Sequence, residues 1–358
     1  MRLTLPLSAA RPLAFCAVGA RLFTGLFLDM PWLYNASWIS ALVAALACAP
    51  LGLLADRFLR ASEERTMAEA LEKSSGKALT RGACAALGLL SIYEAAVVAR
   101  VLCNTVRHVA LSEASAISLL APLLIAVTVA ACYNGEAIGG AARVWIKCVP
   151  VLLLIVIWIQ AKSYRLGWLF PLLGPGADVL ATGAVGASGW LSLGTLVWLC
   201  VEKEEDRPLP RAPLLGAMLG AAALGAVLLA LMALMAPPSV RADLTRTFQL
   251  DKLLANGRIP QGAQLPLIIL SYNSLLFALV TGVFVAAKLA QIALPALDGR
   301  IALLISGVAV GAVAMLGWAE QGPAAAVSEW IFPAVGALMF LLLLPPALKG
   351  GKSCARSR

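Results

Sequence analysis

The sequence predicts an all-α polytopic membrane protein of about ten transmembrane helices, built as a five-plus-five inverted repeat with its first and sixth helices broken. Three observations carry that prediction. The 358 residues are 61% hydrophobic and only 13% charged, against about 25% charged in an ordinary soluble domain. The apolar residues come in long unbroken runs, not in the alternation of a β-barrel. Glycine-rich stretches interrupt those runs at matching places in the two halves. With a mean hydropathy of +0.88, the chain has too little polar surface for a soluble enzyme.

A helix needs about 20 apolar residues to cross the hydrocarbon core. That ruler places spans at about 12–30, 37–55, 83–103, 114–133, 142–161, 178–200, 212–236, 264–290, 300–319 and 326–346. The first repeat then covers about 12–161, the second about 178–347, and 348–358 form a short tail, all within one transmembrane domain 1–358. Pro213 opens the seventh span at a first-turn position, Pro237 and Pro238 close it, and Pro345 and Pro346 end the tenth. The stretch from Met1 to Ala20 has bases before an apolar run but no small-x-small cleavage site, so it reads as a retained first helix. Residues 56–82 mix Glu63, Glu64, Glu69 and Glu72 with bases, which suits a short surface helix. The loop 237–262 is the longest on the opposite side, either a solvated connector or a contact surface for a partner outside the membrane.

The net charge of +9 belongs to loops. Nineteen of the 28 Lys and Arg fall on one side, eight on the other, and Arg21 lies within the first span. The positive-inside rule therefore places both termini in the cytoplasm, and no nucleic-acid partner is expected, only lipid. His108 is the one histidine, and it sits at an interfacial position after Arg107. The eight cysteines form no CxxC pair and read as reduced, small apolar residues. No cofactor or metal signature is present, and an intramembrane enzyme lacks its usual His, paired Asp or activated Ser.

Candidate ligand contacts come from where the helices break. The first span holds Gly19, Arg21 and Gly25, and the sixth holds Gly183, Gly186, Ser188, Gly189, Ser192, Gly194 and Thr195. Each glycine costs a helix about 1 kcal/mol against alanine, so four of them in twelve residues make a weak continuous helix. Interrupted spans at corresponding places in two halves point to a binding site in an inverted-repeat transporter. Glycine also permits close helix packing, which is the reading for Gly52, Gly88 and Gly220. Arg21 could hold a ligand carboxylate or an internal acid, or could snorkel. Tyr93 and Glu94 lie mid-span in the third helix, where a carboxylate should face a cavity or a cation or be protonated. Tyr272, Asn273 and Ser274 break the apolar run of the eighth helix and offer hydroxyl and amide groups to a ligand or to a neighbouring helix.

Several landmarks carry a family resemblance. Met30-Pro31-Trp32 and Ala36-Ser37-Trp38-Ile39-Ser40 follow the first helix, and Ala99-Arg100-Val101-Leu102-Cys103-Asn104 ends the third. A Tyr133-Asn134-Gly135-Glu136 turn leads to Arg143, and a Leu-Phe-Pro-Leu-Leu-Gly-Pro-Gly stretch from Leu169 to Gly176 precedes the sixth helix. With ten spans and both ends inside, the chain resembles the spore germination permeases, the integral B subunits of germinant receptors, in the amino acid–polyamine–organocation superfamily. It departs from them in lacking a carboxylate between Asp178 and Glu202 and in carrying Arg21. The resemblance implies a sensor of a small nutrient germinant, most often an L-amino acid, in the spore inner membrane. It also implies a complex with a larger membrane subunit and a lipoprotein subunit. The alternatives are an H⁺- or Na⁺-coupled amino acid transporter on the same fold, with Glu94 as the proton carrier, and a scaffold that has lost its ligand.

Overall fold

The computed structural model describes residues 3–28, 35–62, 64–109, 113–133, 135–161, 164–170, 172, 176–190, 192–203, 212–235, 261–316, 337 and 341. Within these, eleven α-helices follow one another: α1 Leu7–Leu28, α2 Ser37–Ala61, α3 Met67–Ser75, α4 Lys77–Val109, α5 Ala116–Cys132 and α6 Gly135–Gln160. The second part of the chain adds α7 Ala177–Trp190, α8 Ser192–Val197, α9 Pro213–Met235, α10 Gln261–Ala293 and α11 Gly299–Met315. Two two-residue strands, β1 Leu5–Pro6 and β2 Val201–Glu202, pair in parallel. Helices α2, α4, α6, α9 and α10 are long and apolar enough to cross a membrane, and α5, α11 and Leu7–Ala20 of α1 form shorter apolar helices. The tenth expected span and nearly all of the 237–262 loop lie outside the described residues.

The expected edges move where packing extends a helix beyond its apolar run. The fifth span starts at Gly135, not near residue 142, because Gly135 and Gly139 lie directly against the backbone before and inside α1. The third span lengthens at both ends into α4. The expected surface helix is α3, whose Thr66 and Glu69 form a reciprocal capping box of two 3.2 Å hydrogen bonds. Its apolar face, Met67, Ala68, Ala70 and Leu71, is buried against α4 and the short 3₁₀ turn Trp198–Cys200.

Helices α1, α4 and α10 form the centre. α1 packs on α6, α9 and α10, while α4 lies along α10. Lipid tails are as apolar as leucine, so the hydrophobic effect does little to drive helices together in a membrane, and small residues allow the close approach that van der Waals packing needs. The glycines read as packing positions behave so: a Cβ on Gly52 would meet Leu215 at 2.9 Å, one on Gly88 Leu289 at 3.4 Å, and one on Gly220 Phe15 at 3.4 Å. Across the second helix pair, the buried Asp56 of α2 accepts a 3.1 Å hydrogen bond from the Leu215 amide. It thus caps the N-terminus of α9, whose first turn lacks intrahelical partners for its N–H groups. Pro213 opens that helix as expected.

At the end of the bundle where the amino terminus lies, short segments interlock. β1 pairs with β2, Thr66 bridges to Glu202, and the Lys203 amide donates to the Arg65 carbonyl at 2.9 Å. Arg65 and Glu202 form a 2.6 Å ion pair, and the Lys203 ammonium donates to the Ser62 carbonyl and hydroxyl. Burial lowers Lys203 below the usual lysine range, partly offset by Glu64. Leu3 and Leu5 are fully buried beneath this clasp, with the Leu3 amide donating to Gln291 at 3.3 Å.

Two adjacent glycines offer an internal control. A Cβ on Gly139 would overlap Ala9, whereas nothing lies within 4 Å of one on Gly140. Gly139→Ala should therefore destabilise the solubilised chain by about 1–3 kcal/mol, and Gly140→Ala should be neutral or stabilising by up to about 1 kcal/mol, read from thermal unfolding. Asp56→Ala should cost about 1–2 kcal/mol by leaving the α9 terminus uncapped, with Asp56→Asn recovering most of it.

Candidate functional site

Two helices cover the described part of the sixth span, and Leu191 between them lies outside the described residues. α7 carries Gly183, Gly186 and Gly189 and ends at Trp190, and a separate six-residue helix, α8, starts at Ser192. The first span differs from expectation. α1 stays helical from Leu7 to Leu28, through Gly19 and Gly25, with no break. Contacts with α6, α9 and α10 hold it on several sides and outweigh the glycine penalty.

What fixes α8 is a backbone approach to α1. A Cβ on Gly194 would overlap the Val18 side chain, and the Ala14 carbonyl oxygen would lie 3.7 Å away. Thr195, next in the chain, is fully buried. α8 also touches α4 and α10. The elements that hold the predicted residues all contact α8: α1 with Gly19, Arg21 and Gly25, α4 with Tyr93 and Glu94, α7 with the glycine-rich stretch, and α10 with Tyr272 and Asn273. The side chains of Arg21, Ser188 and Ser192, and the surroundings of Gly25, Gly186 and Gly189, lie outside the described residues.

The remaining predicted residues take different positions. Gly183 is buried in α7. Glu94 is 1% exposed, one turn from Ser91, whose hydroxyl donates to the Gly282 carbonyl of α10 at 3.1 Å. Tyr93 and Tyr272 are half-buried against the apolar core. The Asn273 amide nitrogen donates to the Ile269 carbonyl at 2.9 Å, so it serves its own helix, four residues back. Gly19 faces a small cavity of about 20 Å³ between α1, α6, α9 and α10, lined by Phe15, Trp145, Leu228, Leu270 and Ser274 among others.

That cavity has room for about one water and is far below the roughly 300 Å³ of a typical small-molecule site. Trp145 Nε1 donates to Ser274 Oγ across it at 3.4 Å. Trp145 and Phe15 were not legible as lining residues, because Phe15 sits in an apolar run and the bases flanking Trp145, Arg143 and Lys147, mark no cavity. The Trp145 indole, which needs an acceptor when buried, was the one available signal. This cavity by itself is too small for a ligand the size of an amino acid.

Three comparisons bear on this arrangement. A family model described as spore germination protein matches residues 16–199, just over half of the chain, from within α1 through α8. No curated protein matches the sequence. Among solved structures, the chain is similar to Mhp1, a nucleobase-cation-symport-1 family transporter in a closed conformation with bromovinylhydantoin bound. The TM-score is 0.60 at 12% identity, over 91% of this chain and 74% of that one. It is also similar to two mutants of the Eremococcus coleocola manganese transporter, with TM-scores of 0.59 and 0.55 at 14% identity, over 97% of this chain and 80% of each. At such identities the likeness establishes the fold, that of helical transporters with a five-plus-five inverted repeat. Sequence and fold together place the chain in the spore germination protein family, as an integral membrane protein of the permease type.

Proposed function

We propose that the chain is the nutrient-sensing membrane subunit of a spore germinant receptor and that it binds a small germinant, an L-amino acid, at the interruption of the sixth span. The observation that carries this reading is the contact of α8 with α1 at Gly194, Ala14 and Val18, at the end of the glycine-rich stretch of the sixth span. Backbone groups freed at a helix break have no intrahelical partners, and in hydrocarbon they need protein, water or ligand. Amides at the start of a helix segment suit a carboxylate, and carbonyls at the end of one suit an ammonium group. Ser188, Ser192 and Thr195 would add hydroxyls, and Tyr93, Tyr272 and Arg21 would close the site from the neighbouring helices.

Binding would act by differential affinity. A ligand that fits a state with α7–α8 parted from α1 draws the population toward that state, and one that fits both states equally changes nothing. In this reading both termini face the cytoplasm, and the larger membrane subunit and lipoprotein subunit of the receptor respond to the shift. Orientation rests on the Lys and Arg distribution among the loops.

The test is a thermal-shift panel of the twenty L-amino acids, several D-isomers and simple sugars on the purified chain. A stereospecific subset should stabilise it, by about 2.7 kcal/mol at 100 times the dissociation constant. Gly194→Ala should abolish that shift, while Gly216→Ala, at a position open to at least 4 Å, should leave it intact. Absence of a shift with every compound, in the chain alone and in the assembled receptor, would overturn the sensor reading.

A second reading, an H⁺- or Na⁺-coupled amino acid transporter, is favoured by one observation, the burial of the Glu94 carboxyl inside α4. Buried intramembrane carboxylates often carry protons in transporters. Proteoliposome uptake separates the two: proton-driven accumulation that Glu94→Gln abolishes supports transport, and binding without accumulation supports sensing.

A further inference from the structure

The clasp of β1 and β2 sits on the two spans that make the proposed ligand site. β1 runs directly into α1, and β2 follows α8 after the turn Trp198–Cys200, so their pairing ties the ends of the first and sixth spans together. Gly194 precedes Val201 by seven residues, about 10 Å of helix. The tie is therefore close to the contact of α8 with α1, and on one side of it only.

β1 is wedged into the bundle. Leu5 is fully buried, and a Cβ on Gly135, at the start of α6, would overlap it and would also meet Phe284 of α10 at 3.3 Å. Leu3 is buried as well, and its amide is bound to Gln291 near the end of α10. The link between α2 and α3 holds β2 through the Thr66 bridge, the Lys203 amide on the Arg65 carbonyl, and the Lys203 ammonium on Ser62. α3 packs on the turn before β2, where Cys200 is 2% exposed. Apolar side chains fill the inside of this junction, and polar pairing fastens it from outside.

The shortest way from the Gly194 contact to this end runs between the ends of α1 and α8, and the β1–β2 pairing closes it. Parting of α8 from α1 at Gly194 needs only a pivot about the clasp, which leaves the strands paired. In the orientation that the Lys and Arg distribution assigns, this end faces the cytoplasm. We propose that the clasp seals the cytoplasmic end of the chain, so that its ligand enters and leaves from the opposite side and is sensed without being transported. The proposal rests on the reading of the sixth span as the ligand site.

The experiment uses the full chain in proteoliposomes, with two readouts. One is labelling of Cys200 by a water-soluble maleimide, located by mass spectrometry. The other is binding and entry of a mixture of the twenty radiolabelled L-amino acids. The unaltered chain should bind label, admit none of it and keep Cys200 unreactive. Lys203→Pro removes the amide donor and the ammonium and keeps Glu202 extended. It should raise Cys200 labelling by about tenfold or more, a shift of about 1.4 kcal/mol or more in the opening equilibrium, and let bound amino acid cross. Entry through the unaltered chain would overturn the proposal. So would a Lys203→Pro chain that binds label yet keeps Cys200 protected or admits nothing. If Lys203→Pro does not fold, hydrogen exchange at the Lys203 amide of the unaltered chain decides: protection supports the seal, and exchange at the rate of an open peptide sinks it. No bound amino acid, with a Cys200 that only Lys203→Pro uncovers, would support the seal and tell against the sixth-span site.

Discussion

Hydrocarbon offers no hydrogen bonds, so every backbone N–H and C=O inside it must be satisfied by the protein, by trapped water or by a ligand. Most of this molecule meets that constraint with uninterrupted helices. The sixth span is divided between α7 and α8, and the described part of its second half is enclosed by protein. α8 is pressed onto α1 at a glycine, α4 and α10 lie alongside, and the next turn, Trp198–Cys200, is wholly buried. A polar backbone enclosed this way can exchange one set of partners for another. That property would let a small ligand compete with the protein for the same groups.

The helices reach the required proximity through absent side chains. Gly139 against Ala9, Gly194 against Val18 and Gly282 against Ala95 bring α1, α4, α6, α8 and α10 to near backbone contact. Polar groups reinforce the seams one at a time: Asp56 at the start of α9, Ser91 on the Gly282 carbonyl, Trp145 on Ser274. At the end holding the amino terminus, the pairing of β1 with β2 joins the chain before the first span to the chain after the sixth. The two spans at the centre of the ligand reading are therefore linked twice, by Gly194 within the membrane and by the clasp at its edge. An exposed ion pair such as Arg65–Glu202 contributes little by itself, about 0–1 kcal/mol. The clasp owes its hold to backbone pairing and to Leu3 and Leu5 beneath it.

The spans were legible because hydropathy over twenty residues is a strong signal. The continuity of α1 was not legible, since tertiary contacts with three helices overrode glycine's helix penalty. The early start of α6 was hidden because Glu136 and its neighbours are too polar to count as membrane, yet pack closely enough to be helical. Two-residue strands leave no periodicity to read, so the clasp has no sequence signature. Within the candidate site, Glu94 is buried in α4, and α1, α4 and α10 each contact α8. Asn273 departs from the sequence reading because the Ile269 carbonyl lies one turn away and satisfies the amide within its own helix.

The most direct measurement is hydrogen exchange by mass spectrometry on the full chain in lipid, with and without the amino acid that stabilises it. The account predicts that the ligand changes protection at 14–25 in α1 and at 183–197 across the break, with smaller changes at the β1–β2 clasp. Unchanged exchange in both of those segments, with protection confined elsewhere, would contradict a ligand site at the interrupted span.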